Sequence, residues 1–160
     1  MRQDRRMDVE LRDVTPEDVE VFYEHQLDPE ARRVAVFPLR EHDAFVTHWK
    51  ERILAVDANL AWTIVADGEV AGNIVCFPRE GKREVGYWLG QEFWGRGIAT
   101  QALALLLREV AERPLYARVA TTNVGSIRVL EKCGFTTIGS ETHVDEAMGE
   151  GIDEALLELR

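Results

Sequence analysis

Apolar and polar residues alternate over Val9-Glu10-Leu11-Arg12-Asp13-Val14, the period of a strand with one buried face. Thr15-Pro16-Glu17-Asp18 then reads as a helix start, with Thr15 as N-cap, Pro16 at the first helical position and Asp18 in the capping-box place. This helix is expected to turn Val19, Phe22, Tyr23 and Leu27 inward and to stop at Asp28-Pro29. Residues 30–40 have no clear period and read as a loop or a broken helix. Phe45, Trp49, Ile53 and Val56 recur at helical spacing, so a second helix is expected over residues 41–56. His42 and His48 fall on its other faces, as solvated side chains rather than metal ligands.

The clearest hairpin follows: residues 60–66, then Asp67-Gly68, then residues 70–77. Asp-Gly supplies the positive φ that tight hairpin turns demand. Residues 78–82 form the next turn and residues 83–89 a third strand. Residues 99–112 are apolar on most faces, which predicts a helix buried against a sheet, with Pro114 as its stop. Residues 115–121 form a strand that should lie parallel to the previous one, because the connection runs through a helix. Asn123 opens a short helix to Lys132, closed by Gly134. Residues 135–143 and 155–159 are the last strands, with residues 145–153 as their loop. The order β-α-α-β-β-β-α-β-α-β-β predicts one α+β domain over residues 1–160. Its core is a mixed, mostly antiparallel central sheet of six to seven strands, flanked by about four helices.

Composition narrows the function. Hydrophobic residues make up 46% of the 160-residue chain and charged residues 30%, as in a soluble globular domain large enough to bury a real core. Residues 1–6 are charged and no apolar region follows them, which is not a signal-peptide pattern. No run of about 18 apolar residues suits a membrane span, so a cytoplasmic protein without a membrane partner is expected. The net charge of −10 argues against nucleic acid, whose binding needs a basic face, and mildly favours a cationic acceptor such as an amine. Cys76 and Cys133 match no zinc or redox spacing; Cys76 sits in a strand pattern and reads as core. No metal site is expected.

The candidate chemistry centres on Gln91-Glu92-Phe93-Trp94-Gly95-Arg96-Gly97-Ile98-Ala99-Thr100, a glycine-containing loop between a strand and a helix start. First-turn N–H groups have no partner within the helix, and the helix dipole adds positive charge, so such a loop suits an anion. Gly95 and Gly97 let the backbone approach a phosphate, and Arg96 adds a charged donor. The dinucleotide fingerprint fails, since Thr100 stands where its third glycine would be. The Walker A pattern fails too, since no lysine follows; a nucleotide-binding phosphotransferase would need that lysine.

Asn123 to Phe135 has the spacing N-x-x-S-x-x-x-L-E-K-x-G-F. With W-G-R-G-I-A-T before it and the strand E-x-G-Y-W-L from Glu84 to Leu89, the chain resembles the GNAT superfamily of acetyl-CoA-dependent N-acetyltransferases. The likeness is greatest to the branch containing the ribosomal-protein N-terminal acetyltransferases. It covers residues 84–135, and the order of elements agrees with the acyl-CoA N-acyltransferase fold. The resemblance implies that Gly97 and Ala99 fill the small positions of the family's Gln/Arg-x-x-Gly-x-Gly/Ala loop. It also implies that the amides of Arg96, Gly97, Ile98, Ala99 and Thr100 hold the pyrophosphate of CoA, beside Gly95. Trp94 stands where Gln or Arg is commonest, which removes a side-chain phosphate contact. The strand before the loop is splayed from its parallel neighbour in this family, which places backbone groups of Trp88 and Leu89 on pantetheine. Asn123 matches the asparagine that reaches the pantetheine arm, and it also reads as a helix N-cap.

Where many members carry the tyrosine that protonates the leaving thiolate, this chain has Leu130. Ser126 is the nearest replacement, and its bland reading is a helix-surface hydroxyl. Tyr87 is a second candidate, although strand alternation sets it opposite Trp88 and toward the core. Glu84 shares the face of Gly86 and Trp88 and is the candidate general base, directly or through water, or else a strand carboxylate. Glu141 and His143 are weaker candidates. The implied reaction is direct attack of a primary amine on acetyl-CoA in a ternary complex, by a monomer or a homodimer. The acceptor is a small molecule or a protein N-terminus, walled by residues 16–56 and 145–153, with Val36, Phe37 and Trp49 shaping the site. The alternative is an acyl-CoA-binding sensor on the same fold without catalysis, to which Leu130 gives some footing.

Overall fold

A computed structural model describes residues 7–35, 40–145 and 150–160, and their side chains except those of 143–145 and 150. Strand β1 (Val9–Arg12) pairs antiparallel with β2 (Leu60–Ala66). Helix α1 (Pro16–Gln26) starts as its sequence dictates: Thr15 is extended and its hydroxyl accepts from the Asp18 N–H at 3.3 Å. The Asp18 carboxylate accepts in return from the Thr15 N–H at 2.8 Å. Val19 and Phe22 are buried, but Leu27 is 41% exposed, because the helix ends one residue earlier. His25 and Gln26 take the inward places instead.

Residues 29–35, read as loop or broken helix, form a short helix α2 (Pro29–Ala35); Val36 and Phe37 lie outside the described residues. The expected single helix over 41–56 is two pieces, α3 (His42–Thr47) and a wider π-helical run His48–Leu54. Phe45 and Trp49 are buried while Val56 is 40% exposed. His42 lies at the surface against Glu20 at 2.7 Å, whereas His48 is half-buried at a cleft rather than solvated.

β2 turns into β3 (Glu69–Arg79) through Asp67 and Gly68 at φ 47° and 82°, the left-handed pair that Asp-Gly favours. β4 (Lys82–Leu89) completes the meander. Helix α4 (Ile98–Glu109) carries the chain across to β5 (Leu115–Ala120), then come α5 (Val124–Lys132), β6 (Thr136–Asp145) and β7 (Glu150–Leu159). The strand order is β1-β2-β3-β4-β5-β7-β6, with β4–β5 parallel and every other neighbour antiparallel. The α+β reading stands, with seven strands and five α-helices among the described residues. β7 begins at Glu150, so much of the expected loop is strand. Pro114 is not the stop of α4: the chain leaves the helix at Val110, whose extended backbone puts its own side chain into the core.

Two apolar clusters cover opposite sides of the sheet. Ile98, Ala102, Leu103 and Leu106 of α4 pack with Ile64, Ile74, Cys76 and Leu157. Phe22, Phe45 and Trp49 pack on the other side with Val75, the neighbour whose side chain alternates with Ile74 and Cys76. Phe22 and Trp49 lie 4.9 Å apart, centroid to centroid. Asp18 joins α1 to the sheet: Arg12 donates to it at 2.6 and 2.9 Å and the Thr63 hydroxyl at 2.7 Å. Burial alone would raise the Asp18 pKa, but the Arg12, Thr15 and Thr63 hydrogen bonds together bring it down to about 2.

Because the folded pKa lies below that of the unfolded chain, Asp18 stabilises the fold above pH ~4 and loses that contribution as pH falls toward 2. Asp18→Asn is expected to lower unfolding free energy by about 1–3 kcal/mol at pH 7. Urea titrations should show the gap between wild type and variant narrowing below pH ~4.

Candidate functional site

Strand β4 pairs with β5 only at Arg83↔Leu115 and Glu84↔Tyr116, although β4 runs on to Leu89 and β5 to Ala120. β4 stays bonded to β3 as far as Gly72↔Leu89, and β5 to β7 as far as Ala120↔Glu154. The two central strands therefore part after Glu84, each with one satisfied edge and one facing the gap. Helix α2 sits over the opening, tied down where the Thr122 hydroxyl donates to the Val34 carbonyl at 2.9 Å.

Two clefts meet in this gap. The first, about 480 Å³, runs from Tyr87, Trp88 and Leu89 past Trp94, Gly95 and Gly97 to Ile98, Ala99 and Thr100 at the α4 N-terminus. Asn123, Gly125, Ser126, Arg128 and Lys132 form its α5 wall. The second, about 400 Å³, lies between the sheet and α1–α3 and is lined by Phe22, Phe45, Trp49 and Phe77 with Gln26, Asn73, Arg118 and Glu154. Tyr87, Trp88, Asn123, Ser126 and Ala35 line both.

Gly95 and Gly97 hold φ of 73° and 76°, with Gly97 as the α4 N-cap. A Cβ on either would meet nothing within 4 Å, so the demand for glycine is conformational. The first turn of α4 has no acidic side chain, which leaves its N–H groups and dipole undiminished toward an anion. Arg96 does not line the cleft; its guanidinium lies 3.7 Å from the Met7 sulfur. Trp94 donates its indole N–H to the Leu89 carbonyl at 3.1 Å, so the ring is fixed across the turn. Asn123 caps α5, accepting from the Ser126 N–H at 3.2 Å, and lines both clefts as well.

Ser126 and Tyr87 form a pair. The Tyr87 hydroxyl lies 2.8 Å from Ser126 Oγ and donates to the Ser126 carbonyl at 3.1 Å. Burial pushes the Tyr87 pKa far up, so the phenol stays neutral and is a donor rather than a base. Alternation set Tyr87 toward the core, and it does pack against the core cluster. Its hydroxyl nevertheless reaches the gap, because β4 has lost its β5 neighbour there. Leu130 is fully buried.

Glu84 is brought to neither cleft lining. It is 4% exposed, and Arg118 Nε donates to its Oε2 at 3.0 Å. The same guanidinium donates to Glu141 at 2.8 Å and lies 3.6 Å from Glu80. The His143 side chain lies outside the described residues. Sequence reasoning missed Gln26, Asn73, Arg118 and Glu154. Only Gln26 carried a signal, since Val19, Phe22 and Gln26 share one helical face at i, i+3 and i+7. Among the described residues no cluster of His, Cys, Asp or Glu could hold a metal ion, and no helix is long and apolar enough to cross a membrane.

Residues 8–136 match the family model described as an acetyltransferase (GNAT) domain. The chain is 27% identical over 146 residues to the FsC-acetyl coenzyme A-N(2)-transacetylase of Aspergillus fumigatus, covering 80% of this chain and 62% of that protein's length. The fold is shared with RimJ of Mycobacterium smegmatis in complex with CoA-disulfide, with a TM-score of 0.75, 26% identity and coverage of 94% and 81% of the two chains. It is shared also with RimL, a ribosomal alpha-N-protein acetyltransferase in complex with coenzyme A, with a TM-score of 0.75, 21% identity and coverage of 94% and 92%.

Proposed function

Because the chain belongs to the acetyltransferase (GNAT) domain family, we propose that it transfers the acetyl group of acetyl-CoA to a primary amine in a ternary complex. The observation that carries this reading is the meeting of two clefts at Tyr87 and Ser126, where β4 and β5 part. The first cleft fits CoA: left-handed glycines and a helix N-terminus without acid suit its pyrophosphate, and the strand edges that face the gap suit its amide-bearing arm. The second takes the amine.

Bound acetyl-CoA supplies an activated thioester carbonyl. The amine nitrogen bonds to that carbon, the carbon–sulfur bond breaks, one proton leaves the amine and one is delivered to the thiolate. Along β4 the N–H groups alternate between β3 and the gap: Gly90 donates to Ala71 of β3 and Trp88 pairs with Asn73, so it is Leu89 and Tyr87 whose N–H groups are offered toward the developing oxyanion and the pantetheine amides. Arg96 serves through its backbone amide. Holding both reactants across the gap supplies orientation, which alone can account for much of the rate. Ser126, backed by Tyr87, protonates the thiolate. Glu84 lines neither cleft and Glu154 is the carboxylate that lines the acceptor cleft, so we assign the amine proton to Glu154. An α-amine with a pKa of about 8 needs little help from a base, and relatives of the RimL kind, named for acetylating a protein α-amine, are consistent with such an acceptor.

Mixing the protein with acetyl-CoA and a panel of amines while following free thiol tests the reading: acceptor-dependent thiol release is expected. Tight CoA binding with no release across the panel would favour the sensor. Gly97→Asp, which places a carboxylate in the phosphate loop, is expected to weaken CoA binding on the order of a hundredfold by calorimetry. Ser126→Ala and Tyr87→Phe should each lower kcat by about ten- to a hundredfold with little change in the KM for acetyl-CoA. The double variant should be no slower than the worse single one, because the hydroxyls act as one pair.

A further inference from the structure

Gln26 is 3% exposed and belongs to the wall of the second cleft, one helical turn beyond Phe22. Its amide is oriented without ambiguity. Nε2 donates to the Arg40 carbonyl at 2.7 Å, and a carbonyl oxygen only accepts, so the NH2 group must face Arg40. Oε1 is thereby turned the other way, and among the described residues it has no hydrogen-bond partner. A buried acceptor left unsatisfied is costly, and native interiors contain few of them. The same cleft is lined by Phe22, Phe45 and Trp49 together with Arg40, His48 and Asn73, none of which gives Oε1 a hydrogen bond.

We propose that Gln26 Oε1 is a specificity element of the acceptor cleft, which accepts a hydrogen bond from an N–H that the acceptor carries in addition to its reactive amine. An α-amino amide, with an amide N–H next to the amine, is the class of acceptor this selects. The corresponding ester has the same shape and a similarly basic amine but no N–H to give. An enzyme site built to satisfy a hydrogen-bonding group rejects the analogue lacking it, because the site's buried partner is then left unpaired. The proposal rests on reading the second cleft as the amine site.

The test compares phenylalaninamide with phenylalanine methyl ester, and leucinamide with leucine methyl ester, as acceptors at saturating acetyl-CoA. For the wild type, kcat/KM is expected to favour each amide by about tenfold or more. In Gln26→Leu, and in Gln26→Met, which keeps more of the side-chain length, the amide advantage should fall to within about twofold, with the loss on the amide side. A purely structural role for Gln26 would depress amide and ester alike and leave their ratio unchanged, which would overturn the proposal. So would a wild type that acetylates both members of each pair equally, and in that case the acceptor reading of the cleft would survive. Should no amine in either pair release thiol with the wild type, the acceptor reading fails and the proposal falls with it. Melting temperature and the KM for acetyl-CoA show that either variant is folded, and the wild-type ratio decides the matter even if neither variant folds.

Discussion

The parting of β4 from β5 after Glu84 is the constraint on which the rest of the structure depends. Two adjacent parallel strands ordinarily share a full ladder, and giving one up exposes backbone donors and acceptors that burial would penalise. The parting is tolerable because each strand is fully bonded on its other side, β4 to β3 and β5 to β7. It is also pinned at its root. Glu84 lies in the last β4–β5 pair, and Arg118, two residues along β5 from the partner Tyr116, reaches across to it at 3.0 Å. Removing Arg118 would leave Glu84, 4% exposed, with only the more distant Arg79 at 3.9 Å, so the pair closes the ladder at one end and lets it open at the other. Glu84 is thus bound into the frame of the site rather than its lining.

The elements most legible in the sequence were those with a local cause. Asp67-Gly68 is a turn because of its own backbone preferences, Thr15–Asp18 is a cap because of its own side chains, and Gly95 and Gly97 lead into a helix through their own positive φ. The failures came where distant parts of the chain decided. Nothing local marks the π-helical run at His48–Leu54, and nothing local ends α4 four residues before Pro114; burial of Val110 does that. Residues 150–153 are polar and glycine-containing, so they read as loop, yet pairing with β6 makes them strand.

The candidate site divides in the same way. The residues of the α4 loop and of Asn123 to Ser126 announce themselves by spacing, and nearly all of them line the first cleft. The second cleft is assembled from α1, α2, α3, the π-helical run, β3, β4, β5, α5 and β7, which contribute one to four residues each with no shared motif. Alternation placed Tyr87 opposite Trp88 correctly. What period two cannot express is that a strand without its neighbour presents both faces, and its edge, to the same gap.

The Leu130 substitution takes on a different meaning in this geometry. Leu130 is fully buried in the core cluster, borders the second cleft, and carries no proton to give. In the proposed mechanism the phenol comes from β4 instead. Tyr87 is desolvated enough to stay protonated, and its hydroxyl is bonded both to the Ser126 carbonyl and to Ser126 Oγ. With the single phenolic proton given to the carbonyl, the serine hydroxyl must donate to the tyrosine oxygen. In the proposed reaction, a thiolate forming beside Ser126 gives that serine proton a stronger acceptor than a neutral phenol, and the tyrosine proton is then free to turn toward the serine oxygen. A neutral pair of hydroxyls in this arrangement releases a proton to an anion without holding a charge beforehand, which is what protonating a departing thiolate requires.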